Sequence, residues 1–189
     1  MKNTFRLLLL IVFIPLAMIL VVTIHETGHV IVARLFGDAT ASFALYKSFP
    51  EGGQCIGCTT TGELTDTASL FLSLGGATAT QFFFIVIVIA LGTKFLKFIP
   101  RLPAKILAAL LFLDLPFQLW QAFFNHTPDV PHSGVDFADF CQLVSQQTNI
   151  SAITIKIALL VVFVVYSLLI IWLYRTRSSQ IANKPSNET

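Results

Sequence analysis

Chemistry enters this chain at His25-Glu26-Thr27-Gly28-His29. On a helix, residues i and i+4 share a face, so the imidazoles of His25 and His29 both reach one metal ion. Glu26, one residue on from His25, is turned around the helix, placed to hold and deprotonate a water rather than to ligate. Two nitrogen ligands, a general base and a coordination position left to water are the parts of a zinc hydrolase written HExxH. A lone histidine in such a setting reads as a packing residue with a hydrogen bond. Two histidines and an acid inside an apolar run do not, because each ionisable group there costs a few kcal/mol.

The elements that carry this string are membrane spans. Of 189 residues, 55% are hydrophobic and 12% charged, about half the charged fraction of a soluble chain, and the mean hydropathy is +0.79. Disorder is excluded, as is a secreted disulfide scaffold with only three Cys. A net charge of +2 leaves no basic face for a nucleic-acid partner. A spanning helix needs about 20 mostly apolar residues, and four runs qualify: Leu7–Phe36, Ala68–Leu91, Pro103–Phe124 and Ile153–Tyr174. The expected fold is an all-α polytopic membrane protein with about four transmembrane helices. Thr40–Phe49 and Ile56–Leu64, parted by Pro50 and Gly52-Gly53, predict a small β-hairpin in the first exoplasmic loop. Residues 1–175 form the expected membrane-embedded domain, and 176–189 a polar, flexible cytoplasmic tail. A signal peptide is disfavoured at the start: the run is long for an h-region and no small-x-small cleavage site follows it.

Positive charge orients the chain. Lys2 and Arg6 precede the first span, Lys94, Lys97, Arg101 and Lys105 separate the second from the third, and Arg175, Arg177 and Lys184 follow the fourth. These segments are expected in the cytoplasm, with both termini. The loops 37–67 and 125–149 carry mostly acids and are expected on the exoplasmic side. The metal end of the first span and the second acidic loop then share one side of the membrane.

HETGH in an apolar first helix, a hairpin-like segment after it and Gly75-Gly76-Ala77-Thr78 in the next span together resemble the site-2 protease family of intramembrane zinc metalloproteases, over roughly residues 20–140. The resemblance implies one Zn²⁺ ion on His25 and His29, Glu26 as general base, and cleavage of a membrane-embedded peptide bond in a protein or peptide substrate. A hydrolytic zinc site needs a third protein ligand. The family supplies it as Asp in the motif N-x-x-P-x-x-P-x-D-G. Here Asn125, Pro128, Pro131 and Gly134 keep the spacing, but Ser133 stands in place of the Asp. The nearest following carboxylate is Asp136, in Gly134-Val135-Asp136-Phe137-Ala138-Asp139, which looks like the Asp-containing segment of small, distant members, and it is the favoured third ligand.

Asp129, Asp139, His126 and His132 lie on the same expected side and stay open as rivals. Asp114, in the third span, is a further rival. At about 1.5 Å per residue, His25 and His29 fall about 7–13 Å exoplasmic of the middle of their run, whereas Asp114 falls near the middle of its own. Depth therefore separates Asp114 from the metal, and its expected role is a contact between helices, with Arg34 or an amide freed by Pro116. Cys55 and Cys58 suit a local disulfide or free thiols better than a metal site, since only Cys141 remains to join them. Two other functions compete with proteolysis: a membrane scaffold or chaperone with a degraded or structural zinc site, suggested by Ser133, and a transporter, disfavoured by a single polar cluster and no repeat.

Overall fold

Residues 2–48, 54–91, 101–124 and 136–182 are described by the computed structural model. Several expected features lie outside them: Pro50 and Gly52-Gly53, Lys94 and Lys97, and residues 125–135 with His126, Asp129, His132 and Ser133. Each apolar run forms a helix, the one open-ended structure that satisfies its own backbone in hydrocarbon. These are α1 (Lys2–Leu35), α2 (Asp66–Leu91), α3 (Arg101–Phe124) and, after a shorter helix α4 (Asp136–Thr148), α5 (Ala152–Ala182). Four of them, α1, α2, α3 and α5, contain stretches long and apolar enough to cross a membrane: Leu10–Leu35, Asp66–Leu91, Arg101–Phe124 and Ala152–Leu173. The outer surface is apolar to match; α5 exposes Val161, Val162, Val165 and Leu168. This is a multi-span integral membrane protein. The described part of the expected tail, as far as Ala182, continues α5.

The expected hairpin is present, shifted by a few residues. Strands β1 (Ser42–Ser48) and β2 (Gln54–Thr60) pair antiparallel, with Ser42 opposite Thr60 and Ser48 opposite Gln54. Its root is tied to the end of α1. Gly37, at φ 100°, lets the helix close as a Schellman turn, with Asp38 N–H donating to Ala33 O and Gly37 N–H to Arg34 O. The Asp38 carboxylate then accepts from Thr40 N–H and its hydroxyl at one oxygen and from Gly62 N–H at the other, at 2.6–2.9 Å. Those bonds, led by the Thr40 hydroxyl, hold the half-buried Asp38 carboxyl below the usual carboxylate range. The Arg34 guanidinium donates to Ala41 O at 3.0 and 3.2 Å. The hairpin is thereby folded back over α1 and not left to swing.

Residues 125–149, expected as a loop, are part helix. Phe137, Ala138 and Cys141 are buried along one side of α4, the spacing of an amphipathic helix. Asn149 at φ 57° ends α4, and the Ser151 hydroxyl accepts from Thr154 N–H at 3.3 Å to start α5. Phe137 and Ala138 pack with Ala77 of α2 and with Leu119 and Ala122 of α3. α4 is therefore wedged among the spans.

Small residues set the spacing of α1 and α2, as they do where membrane helices approach closely. A Cβ added at Gly28 would fall on the Gly75 carbonyl oxygen and lie 2.7 Å from Ala79 Cβ, and one at Gly75 would lie 3.0 Å from Gly28 O. Backbone meets backbone here, and neither chain can yield without moving a helix. Gly28→Ala should therefore cost about 3 kcal/mol or more, the upper range for overpacking, in unfolding measured in detergent. Gly62→Ala, whose Cβ would meet Asp38 no closer than 3.7 Å, should change stability by less than about 0.5 kcal/mol.

Candidate metal centre

α1 presents both histidines on one face, buried at 7% and 6% exposure, with their Nε2 atoms 3.1 Å apart. The first residue of α4, Asp136, brings Oδ2 to 2.8 Å from His25 Nε2 and 3.1 Å from His29 Nε2. Of the described residues, His25, His29 and Asp136 are the group able to hold a metal ion. In a tetrahedral site with ligands at about 2.0–2.1 Å, the donors stand about 3.3 Å from one another. The observed triangle needs to open only slightly to fit. The place of Asp136 in the first turn of α4 favours the anion.

The far ring nitrogens are held too. His29 Nδ1–H donates to the Leu72 carbonyl of α2 at 2.7 Å. His25 Nδ1 lies 2.9 Å from Asp114 Oδ2, which also accepts the Thr80 hydroxyl at 2.7 Å. With the protons on Nδ1, both Nε2 lone pairs face Asp136 Oδ2, the orientation that a shared ion requires. Gly76 makes the room: a Cβ there would collide with the His25 ring at Nε2. Gly75 and Gly76 thus do separate work, one seating α1 on α2 and the other clearing the space beside the imidazole.

The depth expected for Asp114 needs correction. His25 stands ten residues before the end of α1 at Leu35, and Asp114 ten before the end of α3 at Phe124, so both lie about 15 Å below the same rim. Depth counted from the middle of the first apolar run sets the histidines apart from Asp114; counted from the ends of α1 and α3, the two stand level. The partners of Asp114 are His25 and Thr80, not Arg34, which is bonded to Ala41. Among the other rivals, Asp139 lies in the first turn of α4 outside the group of three. Asp129, His126 and His132 are outside the described residues.

Glu26 is 9% exposed and turns toward the hairpin. Its Oε2 accepts the Thr59 hydroxyl of β2 at 2.7 Å. Beside Thr59, Cys55 and Cys58 form a disulfide that brackets Gly57 at φ 72°; a Cβ at Gly57 would lie 2.7 Å from Val22 Cγ1 and 2.9 Å from Glu26 Oε1. A side chain there would press on the carboxylate, and the left-handed backbone also suits glycine. Cys141 stands apart as a buried free thiol, which burial pushes up to about 11. Thr59, Thr80 and the Leu72 carbonyl went unseen in the sequence. For Thr80 a signal existed, a hydroxyl one turn after Gly76 in an apolar span, but threonine is too common in such spans to stand out alone.

A family model described as Peptidase M50B-like matches residues 4–119, a stretch with HETGH, Gly75-Gly76 and Asp114 but not Asp136. No curated protein matches the chain, and no solved structure does. Removing the Asp136 carboxylate as Asp136→Ala should lower bound divalent metal from about one ion per chain to a small fraction of that, measured by elemental analysis of purified protein. Gly76→Ala should weaken binding about tenfold by crowding His25.

Proposed function

The chain belongs to the Peptidase M50B-like family, of site-2-protease type, and from that premise we propose that it is a zinc-dependent intramembrane peptidase that hydrolyses a peptide bond of a membrane protein or peptide. The observation that carries this reading is the meeting of His25 Nε2, His29 Nε2 and Asp136 Oδ2 within 3.1 Å of one another inside a helix bundle whose described buried residues are mostly small or apolar. Two imidazoles and one carboxylate are a donor set suited to a hydrolytic zinc ion. When bound, the ion polarises the scissile carbonyl and lowers the pKa of its water toward about 7.

Glu26 is the proposed general base. It takes the proton of the attacking water and passes it to the leaving amine. The Thr59 hydroxyl holds one carboxylate oxygen, which limits the rotation of the acid and ties its position to the hairpin. His25 and His29 present Nε2 and keep their protons on Nδ1, donated to Asp114 Oδ2 and to the Leu72 carbonyl. A helical substrate must unwind locally to expose a peptide bond, and the hairpin edge offers backbone groups to an extended segment as an added strand. Residues 1–175 constitute the proposed peptidase unit. The distribution of Lys and Arg supports cytoplasmic termini and a site nearer the exoplasmic face.

Glu26→Gln keeps the size of the side chain and removes the base. Cleavage of a reporter membrane substrate should fall by about 10²–10⁴, with bound zinc unchanged. Wild-type turnover in that variant would remove Glu26 from the mechanism. Zinc lost together with activity would recast it as a part of the metal site.

A further inference from the structure

Asp114 is a carboxylate in the third membrane span, 10% exposed at its side chain, where an acid costs a few kcal/mol unless something offsets it. Its ion-pair partner within 4.0 Å, among the described residues, is His25. One oxygen, Oδ2, does two things: it lies 2.9 Å from His25 Nδ1 and accepts the hydroxyl of Thr80 at 2.7 Å. Thr80 is fully buried, and its hydroxyl is also placed 3.0 Å from Ala77 O. Three helices are joined through a single oxygen atom, and the join ends on the ring nitrogen that faces away from Asp136.

The two imidazoles are held unequally. His29 Nδ1 meets a neutral peptide carbonyl, whereas His25 Nδ1 meets a carboxylate. A carboxylate behind a ligating imidazole fixes the tautomer, locks the ring plane and strengthens the nitrogen on the other side as a donor. We propose that Asp114, steadied by Thr80, is a positioning residue of the metal site: it holds the proton of His25 on Nδ1, aims Nε2 at the ion and contributes negative charge without ligating. This rests on the metal-site reading above and adds to it an acid–imidazole pair on one ligand only.

The test is zinc affinity of the full-length protein in detergent, measured by competition with a chromophoric chelator, together with the Co²⁺ absorption spectrum. Asp114→Ala should weaken zinc about 10–100-fold, the usual effect of losing such a partner. Asp114→Asn keeps an acceptor for Nδ1–H without the charge, and should recover part of that loss. Thr80→Val should weaken zinc by a smaller factor, and by still less in the Asp114→Ala background, because the two act through one oxygen. The Co²⁺ spectrum of Asp114→Asn should keep its four-coordinate form, as the direct ligands are untouched. A carboxylate serving only to hold helices together would lower the melting temperature of the metal-free protein and leave the zinc affinity of Asp114→Asn and Thr80→Val within about twofold of wild type; that result overturns the proposal, and these two variants decide it if Asp114→Ala fails to fold. A Co²⁺ spectrum that loses its four-coordinate form in Asp114→Asn overturns it too, by making Asp114 a ligand. His25→Ala and Asp136→Ala are the controls for the site itself: if they also bind zinc like wild type, the metal-site reading fails, and the role of Asp114 fails with it.

Discussion

Two imidazole nitrogens lie 3.1 Å apart with one carboxylate oxygen against both, in a span where ionisable groups are costly. Lone pairs that close repel one another unless a proton or a metal ion lies among them. Every other feature of the bundle bears on that meeting. The cost of placing two histidines, a glutamate and an aspartate at membrane depth is several kcal/mol, and packing between nearly featureless apolar helices has no use for them. A shared positive ion, as proposed, would offset the repulsion and make the cluster favourable.

Such a meeting demands helices closer than ordinary side chains allow. Gly28 and Gly75 bring the backbones of α1 and α2 into contact, and Gly76 leaves the volume that the His25 ring fills. Leu72, Gly76 and Thr80 follow one another at intervals of one turn along α2: a carbonyl for His29, a gap for His25, a hydroxyl for Asp114. One stripe of α2 thus serves both imidazoles, and a rotation of that helix would disturb all three contacts at once.

On the side of Glu26 the parts are of another kind. A two-stranded hairpin is marginal alone, yet this one is fixed by Asp38 and Arg34 at its root and by the Cys55–Cys58 disulfide at its inner strand. That fixing sets Thr59 on the Glu26 carboxylate and Gly57 beside it. His25, His29 and Asp136 are therefore held by spans and by α4, whereas Glu26 is held by the hairpin. Motion of the hairpin would alter Glu26 without moving the histidines.

Local patterns in the chain were enough for some of this. Long apolar runs can only be spans, because the backbone must satisfy itself in lipid, and i, i+4 spacing puts the two histidines on one helix face. β-rich stretches parted by Pro50 and Gly52-Gly53 mark the hairpin to within a few residues. α4 is legible in principle from Phe137, Ala138 and Cys141, but a run of 13 residues beside acidic positions reads as readily as a loop. What the order of residues left open was everything that depends on the relative height and rotation of separate helices. Asp114 and Asp136 are 22 positions apart and each is a carboxylate; only the level at which α3 stands beside α1 sets one behind the His25 ring and the other before it. That level follows from where α1 touches α2 at Gly28 and Gly75 and where α2 bonds α3 through Thr80 and Gln81, contacts between distant segments that no periodicity within any one of them encodes.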